Sequence, residues 1–191
     1  MRKISKILFA VGIILVLVSL ITLLALQMNA KKAQTNAAEL VKQIEEIIPE
    51  RTNGMMDTYT VMDMPVLQID GKDFIAIVDI PAFGVKLPVA GSWDSGKVSS
   101  FPCRFSGTVY DGSLIVGGAD QKGQFDFFDR IYNETVIIVT DMTGAEYTYT
   151  VSEIIRSDSA ETDVLINTDA DLTLFVRDAY SLEYIIVRCI A

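Results

Sequence analysis

Histidine is absent from the 191 residues. Its absence removes the commonest general base, the commonest transition-metal ligand and the usual partner of a catalytic cysteine or serine. Cysteine is scarce: Cys103 and Cys189 are the only two, far apart, with no Cys-x-x-Cys or zinc-type spacing. Basic residues are outnumbered, 16 Lys and Arg against 25 Asp and Glu. Three of the basic ones, Arg2, Lys3 and Lys6, fall in the first six residues, so the rest carries 13 positive against 25 negative side chains. Such an acidic surface repels nucleic acid and anionic bilayers, and no nucleic-acid partner is expected. No repeat or low-complexity tract is visible. Gly117-Gly118 is not a phosphate loop, because no Gly-Lys-Ser/Thr follows it.

A long apolar run is present. Residues 7–26 carry no charge, and about 20 helical residues cross the ~30 Å hydrocarbon core. The apolar region of a cleaved signal peptide is usually ~7–15 residues and ends at a small-x-small site. Here the nearest candidate, Met28-Asn29-Ala30, has a large residue where a small one is wanted. The run therefore reads as an uncleaved signal anchor. Arg2, Lys3 and Lys6 stay cytoplasmic by the positive-inside rule, an asymmetry slightly weakened by Lys31 and Lys32. The expected organisation is a cytoplasmic tail (1–6), a transmembrane signal anchor (7–26), an extracytoplasmic stalk and linker (27–63) and a folded domain (64–191). The expected location is the cell membrane, single-pass, with the domain outside, where disulfides are permitted.

Residues 34–49 predict a short amphipathic helix, with Leu40, Val41, Ile44, Ile47 and Ile48 at helical spacing and Pro49 as its stop. It could be a stalk or could pack on the domain. Residues 50–63 form a Met-rich linker with Asn53-Gly54 as a turn signal. Short β runs follow: 66–69, 74–80, 85–89, 113–116, 135–140, 146–155, 172–176 and 184–190. Pro88 argues for an edge position. The almost wholly apolar run 135–140 predicts a central, buried strand, and Asp141-Met142-Thr143-Gly144 a hairpin turn after it. Residues 124–130 predict a short helix carrying Phe125, Phe127 and Phe128, rings better suited to a core than to a ligand cage. Cys103, after Pro102, falls in a loop or short helix. Eight or so short strands with few helices predict an all-β barrel.

Five blocks of this domain resemble the sortases, the cysteine transpeptidases of Gram-positive cell surfaces. They are Ile77–Val89 (Ile-Val-Asp-Ile-Pro-Ala-Phe-Gly-Val-Lys-Leu-Pro-Val), Phe101-Pro-Cys-Arg-Phe-Ser-Gly107, Ser113-Leu-Ile-Val-Gly-Gly118, Leu172-Thr-Leu-Phe175 and Ile185-Ile-Val-Arg-Cys189. Their order and spacing cover residues 64–191. The resemblance implies a sortase-like eight-stranded β-barrel with short helices, preceded by one N-terminal transmembrane helix. It also implies that the catalytic positions are changed. Ala119 stands where the family has its histidine, Arg177 where it has its cysteine, and Tyr184 where it has its arginine.

Sortase acyl transfer needs a thiolate nucleophile, an acid for the leaving amine and a donor to the oxyanion. An alanine methyl moves no proton, and an arginine can be neither base nor nucleophile. A Tyr184 hydroxyl could donate one hydrogen bond, which does not restore a nucleophile. The expected protein is therefore a pseudoenzyme, with Arg177, Tyr184 and Thr173 as candidate groove residues. Its expected partners are the membrane and a surface-protein sorting peptide or an active sortase. Two other readings stay open: an atypical active transpeptidase or hydrolase using Cys103, and a structural or assembly factor. Cys103 and Cys189 are open as buried thiols, as a disulfide, or, for Cys103 beside Arg104, as a relocated nucleophile. Trp93, the single tryptophan, could pack as a lid or stay exposed. No cofactor or metal is expected. Some sortases bind calcium through acidic loops, so calcium stays open at Asp120, Asp126 and Asp129, at Asp158, Glu161 and Asp163, and at Asp169 and Asp171. Their spacing matches no EF-hand, and solvated charge is the simpler reading.

Overall fold

The computed structural model describes residues 2–48, 63–94, 96, 98–159, 162–166 and 168–191, without the side chains of 2–11, 24–34 and 162. The linker expected over 50–63, with its Asn53-Gly54 turn, lies outside the described residues apart from Asp63.

The first helix, α1, spans Arg2–Ile47. Its described apolar side chains from Ile13 to Leu23 are exposed. Among the described residues no helix is long and apolar enough to cross a membrane; the window 7–26 runs past the described side chains at both ends. The last turns behave differently. Ala37, Leu40, Val41 and Ile44, at i, i+3, i+4 and i+7, are buried. Leu40, Val41 and Ile44 pack with Phe74, Ile77 and Phe101. Lys86 adds an ion pair to Glu45 at 2.5 Å.

The strands are β1 (Leu67–Ile69), β2 (Lys72–Ile80), β3 (Val85–Ala90), β4 (Cys103–Ser106), β5 (Leu114–Ala119), β6 (Val136–Asp141), β7 (Glu146–Ser157), β8 (Leu172–Arg177) and β9 (Tyr184–Ile190), with a short helix α2 (Thr162–Ile166) before β8. They lie in the order β1-β2-β3-β4-β5-β8-β9-β7-β6, and β6 also pairs with β2. That last pairing closes eight strands into a barrel, with β1 outside the ring on the same edge of β2 as β6. Closure removes the unpaired edges that an open sheet would expose. Inside are alternate residues of the ring strands other than β4, among them Val78, Val89, Leu114, Val116, Val139, Leu172, Leu174 and Val187.

Three expectations need correction. Cys103 lies in strand β4, not in a loop or helix; β4 pairs parallel with β3 only at Ala90–Cys103 and antiparallel with β5. That single β3–β4 pair leaves Pro88, bonded across to Ile77 of β2, without a ladder partner on its other side, as a residue lacking an N–H requires. β6 is central in pairing but not buried on both faces: Ile137 and Val139 face the core while Val136 is exposed. Its apolar run reflects β-propensity as well as burial. Residues 124–130 form turns with only Phe128–Arg130 as a 3-10 helix, while their three phenyl rings are buried as expected and stack, Phe125 on Phe128 at 4.4 Å.

Candidate functional site

Parallel pairing of β5 with β8 sets Ala119 beside Arg177, and antiparallel pairing of β8 with β9 sets Arg177 beside Tyr184. The three residues therefore form one row across three adjacent strands. The next rows along the same face are Gly117–Phe175–Ile186 and Ile115–Thr173–Arg188. Period-two alternation puts all nine on the outer side of the barrel, opposite Val116, Leu174 and Val187.

The Arg177 side chain is exposed. Its Nε donates to the Leu182 carbonyl at 3.1 Å, and its guanidinium lies 5.9 Å from the centre of the Tyr184 ring, a cation–π contact. The turn between β8 and β9 is held by Asp178, whose carboxylate accepts from the N–H groups of Tyr180 at 2.7 Å and Ser181 at 3.0 Å. The Ser181 and Tyr180 hydrogen bonds, with Arg156 beside them, hold the Asp178 carboxyl below its ordinary value. Asp120 ties this turn to the end of β5 by accepting from Ala179 N–H at 2.9 Å. Buried Gln124 accepts from the Ala119 N–H and donates to the Val98 carbonyl at 3.1 Å. Asp120, which the sequence offered only as a loop carboxylate open to calcium, and Gln124, which sequence reasoning did not single out, are positioning residues. The signal for Gln124 was a polar side chain next to a buried run of phenylalanines.

The floor behind the row is aromatic. Trp93 stacks on Phe175 at 5.5 Å, and Phe105 meets both rings edge-on. Trp93 thus packs over the strands while remaining 40% exposed. Gly117 makes room for it, since a Cβ there would sit 2.4 Å from the Trp93 ring, while a Cβ on Gly118 would sit 2.3 Å from the core ring of Phe125. Thr173, expected to line a groove, is buried and offers no surface to a peptide. A cavity of about 350 Å³ is lined by Trp93, Arg104 and Phe105 and by none of Ala119, Thr173, Arg177 or Tyr184.

The cysteines are both buried and are not joined to each other. Cys103 Sγ donates to the Phe101 carbonyl at 3.4 Å. Burial pushes the Cys189 thiol up to about 12, so it is protonated at neutral pH and unfit as a nucleophile. Among the described residues no three Asp, Glu, Cys or His side chains converge as a metal site. The row can attract an anion and donate hydrogen bonds; it holds neither a thiol nor an imidazole.

No protein-family model matches the sequence, and no curated protein matches it. Solved structures do. A sortase D5 transpeptidase of Clostridium perfringens matches at 20% identity and a TM-score of 0.57, over 84% of this chain and 99% of that one. Sortase A of Listeria monocytogenes matches at 18% identity and a TM-score of 0.55, over 61% of this chain and 85% of that one. Sortase C of C. perfringens, solved with the C-terminal cell wall sorting motif, matches at 19% identity and a TM-score of 0.52, over 86% of this chain and 96% of that one. The chain has a sortase-like fold.

Proposed function

We propose that this protein is a membrane-anchored, extracytoplasmic pseudoenzyme on a sortase scaffold. In this reading the barrel persists, the transpeptidase chemistry is lost, and the face around Arg177 engages a surface-protein sorting peptide or an active sortase. The observation that carries it is the row Ala119–Arg177–Tyr184 across β5, β8 and β9 in a chain without a histidine. A methyl, a guanidinium and a phenol cannot form and resolve a thioester. An exposed guanidinium at the end of β8 suits a carboxylate partner, which it can hold by charge-assisted hydrogen bonds. Anchoring is supported by the uncharged stretch 7–26, the basic residues before it and the exposed apolar side chains Ile13–Leu23.

A relocated nucleophile at Cys103 is disfavoured by its complete burial and by its bond to the Phe101 carbonyl. The test is a cleavage and transpeptidation assay on the full chain, with Leu-Pro-x-Thr-Gly-type peptides and an amine acceptor. The comparison is the triple variant Ala119→His, Arg177→Cys, Tyr184→Arg. The expected result is no turnover in the native protein and turnover, or a trapped thioester, in the triple variant. Native turnover abolished by Cys103→Ala would replace this reading with an active cysteine enzyme.

A further inference from the structure

The cavity of about 350 Å³ beside β4 shares the Trp93 and Phe105 rings with the floor behind the Arg177 row, but none of Ala119, Arg177 and Tyr184 lines it, and it has its own chemistry. Its size is at the lower end of the range for small-molecule sites. Arg104, Asp63, Trp93, Phe105, Ser106 and Thr108 are among its lining residues. Arg104 is mostly buried, 20% exposed, and its plane is fixed by Nε donating to the Gly91 carbonyl at 3.0 Å. Its Nη1 is bonded to Asp63 Oδ1, and that oxygen also accepts from the Met64 N–H at 2.8 Å. The two ends of the ion pair differ. The guanidinium is held by β4 and the chain after β3, whereas the Asp63 carboxylate is 67% exposed. The Trp93 and Phe105 rings, edge-on at 5.6 Å, give the same cavity an apolar lining.

Thr108, another lining residue, is held from behind. Asp111 accepts from the hydroxyls of Thr108 at 2.8 Å and Ser113 at 2.5 Å, and the Ser113 N–H donates to the Thr108 carbonyl at 3.2 Å. A fixed guanidinium in a cavity that two aromatic rings also line suits a carboxylate carried next to an apolar group. Asp63 is then a stand-in, an exposed carboxylate in the place such a group would take. We infer that this cavity is a binding site for a carboxylate flanked by an aromatic or aliphatic side chain, and that Asp63 competes with that ligand for Arg104. An ion pair with one exposed member is weak, so an entering carboxylate displaces it at little cost. The Arg104 contact is the largest influence holding the Asp63 carboxyl below its ordinary value, in keeping with its place as the resident anion.

Trp93 is the only tryptophan in the chain, so its emission reports on this corner of the barrel, and the Asp63 and Arg104 variants assign a change to the cavity. The experiment titrates the full chain, in neutral detergent micelles, with N-acetyl-L-phenylalanine and with the corresponding amide. A tetrapeptide acid, Ala-Ala-Ala-Phe, and its amide form a second pair. The expected result is a saturable change in Trp93 emission with the acids and none with the amides. Asp63→Asn should tighten the acid midpoint about five-fold, the scale of a weak exposed ion pair, and Arg104→Met should abolish the response. Asp63→Asn keeps the test decisive if the Arg104 variant misfolds. A response to the tetrapeptide acid alone would assign the carboxylate to a peptide C-terminus, and a response to both acids to any apolar-flanked carboxylate. Equal responses to acid and amide, no saturable response in either the native chain or the Asp63 variant, or an unchanged midpoint in that variant would overturn the inference.

Discussion

The two faces of β5, β8 and β9 are built from alternate residues of the same nineteen positions, yet they carry different kinds of information. The inner face is continuous hydrocarbon: Leu114, Val116, Leu172, Leu174, Val176, Ile185, Val187 and Cys189 are all buried in the main core. The outer face holds Ala119, Arg177 and Tyr184 in one row and an aromatic floor behind it. Folding free energy comes mostly from the first set, because apolar burial is the dominant favourable term. Chemistry would come from the second. Because strand residues alternate sides, the outer row can be replaced without disturbing the inner one. A barrel of this kind can therefore keep its shape while its reactive groups are lost, which is why the fold by itself does not report activity.

The largest effect should come from the inner face. Leu174 is completely buried, so Leu174→Ala should cost about 2–5 kcal/mol, from lost burial plus the cavity left behind. Thermal or urea denaturation would read it, and a loss below about 1 kcal/mol would mean that this face is looser than its burial indicates.

A second test uses pH. Burial pushes Cys189 up to about 12, and burial pushes Tyr147 up to about 12 as well. Tyr149 and Tyr110 are also driven upward, each mainly by burial, with Asp141 accepting the Tyr110 hydroxyl at 2.9 Å as a further cause. These groups keep protons in the folded chain that they surrender when unfolded. Their contribution is full below the unfolded values, ~8.5 for Cys and ~10 for Tyr, and is lost as pH rises toward the folded ones. Stability should thus begin to fall near pH 9, by up to about 1.4 kcal/mol per pH unit for one ionising group. Cys189→Ala should remove the earliest part of that decline. A flat profile to pH 11 would show that these interior groups are more hydrated than their burial implies.

The same division explains what the sequence made legible. β2 and β7 were readable from period-two alternation, and β8 and β9 as short β-prone runs, all of them local signals. β4 was not, since Cys-Arg-Phe-Ser between Pro102 and Gly107 has no period to speak of and owes its strand geometry to β5. α2, five residues long, was missed because its one completely buried residue, Leu165, gains its burial from Ile115, Phe175 and Ile186 on distant strands. Ala119, Arg177 and Tyr184 were singled out through resemblance alone; nothing in spacing says that they are neighbours, and only the strand register makes them so. The Arg104–Asp63 contact was invisible for the same reason, its partners being 41 residues apart.

The smallest effect on stability should come from the row itself, where any functional effect should be large. Arg177 is exposed, and its partners in the fold are one carbonyl and one ring face. A surface cation–π contact is worth about 0.5–1 kcal/mol, so Arg177→Ala should move stability by no more than that. If the row engages a peptide carboxylate, the same change should weaken binding of a fluorescent sorting-signal peptide at least ten-fold, because it removes the charged donor while leaving the barrel in place. Measuring both quantities on one preparation of the variant separates the two faces directly. A stability loss of several kcal/mol would make Arg177 part of the framework. Unchanged stability with unchanged peptide binding would leave the outer row without a ligand and move attention to the cavity at Arg104.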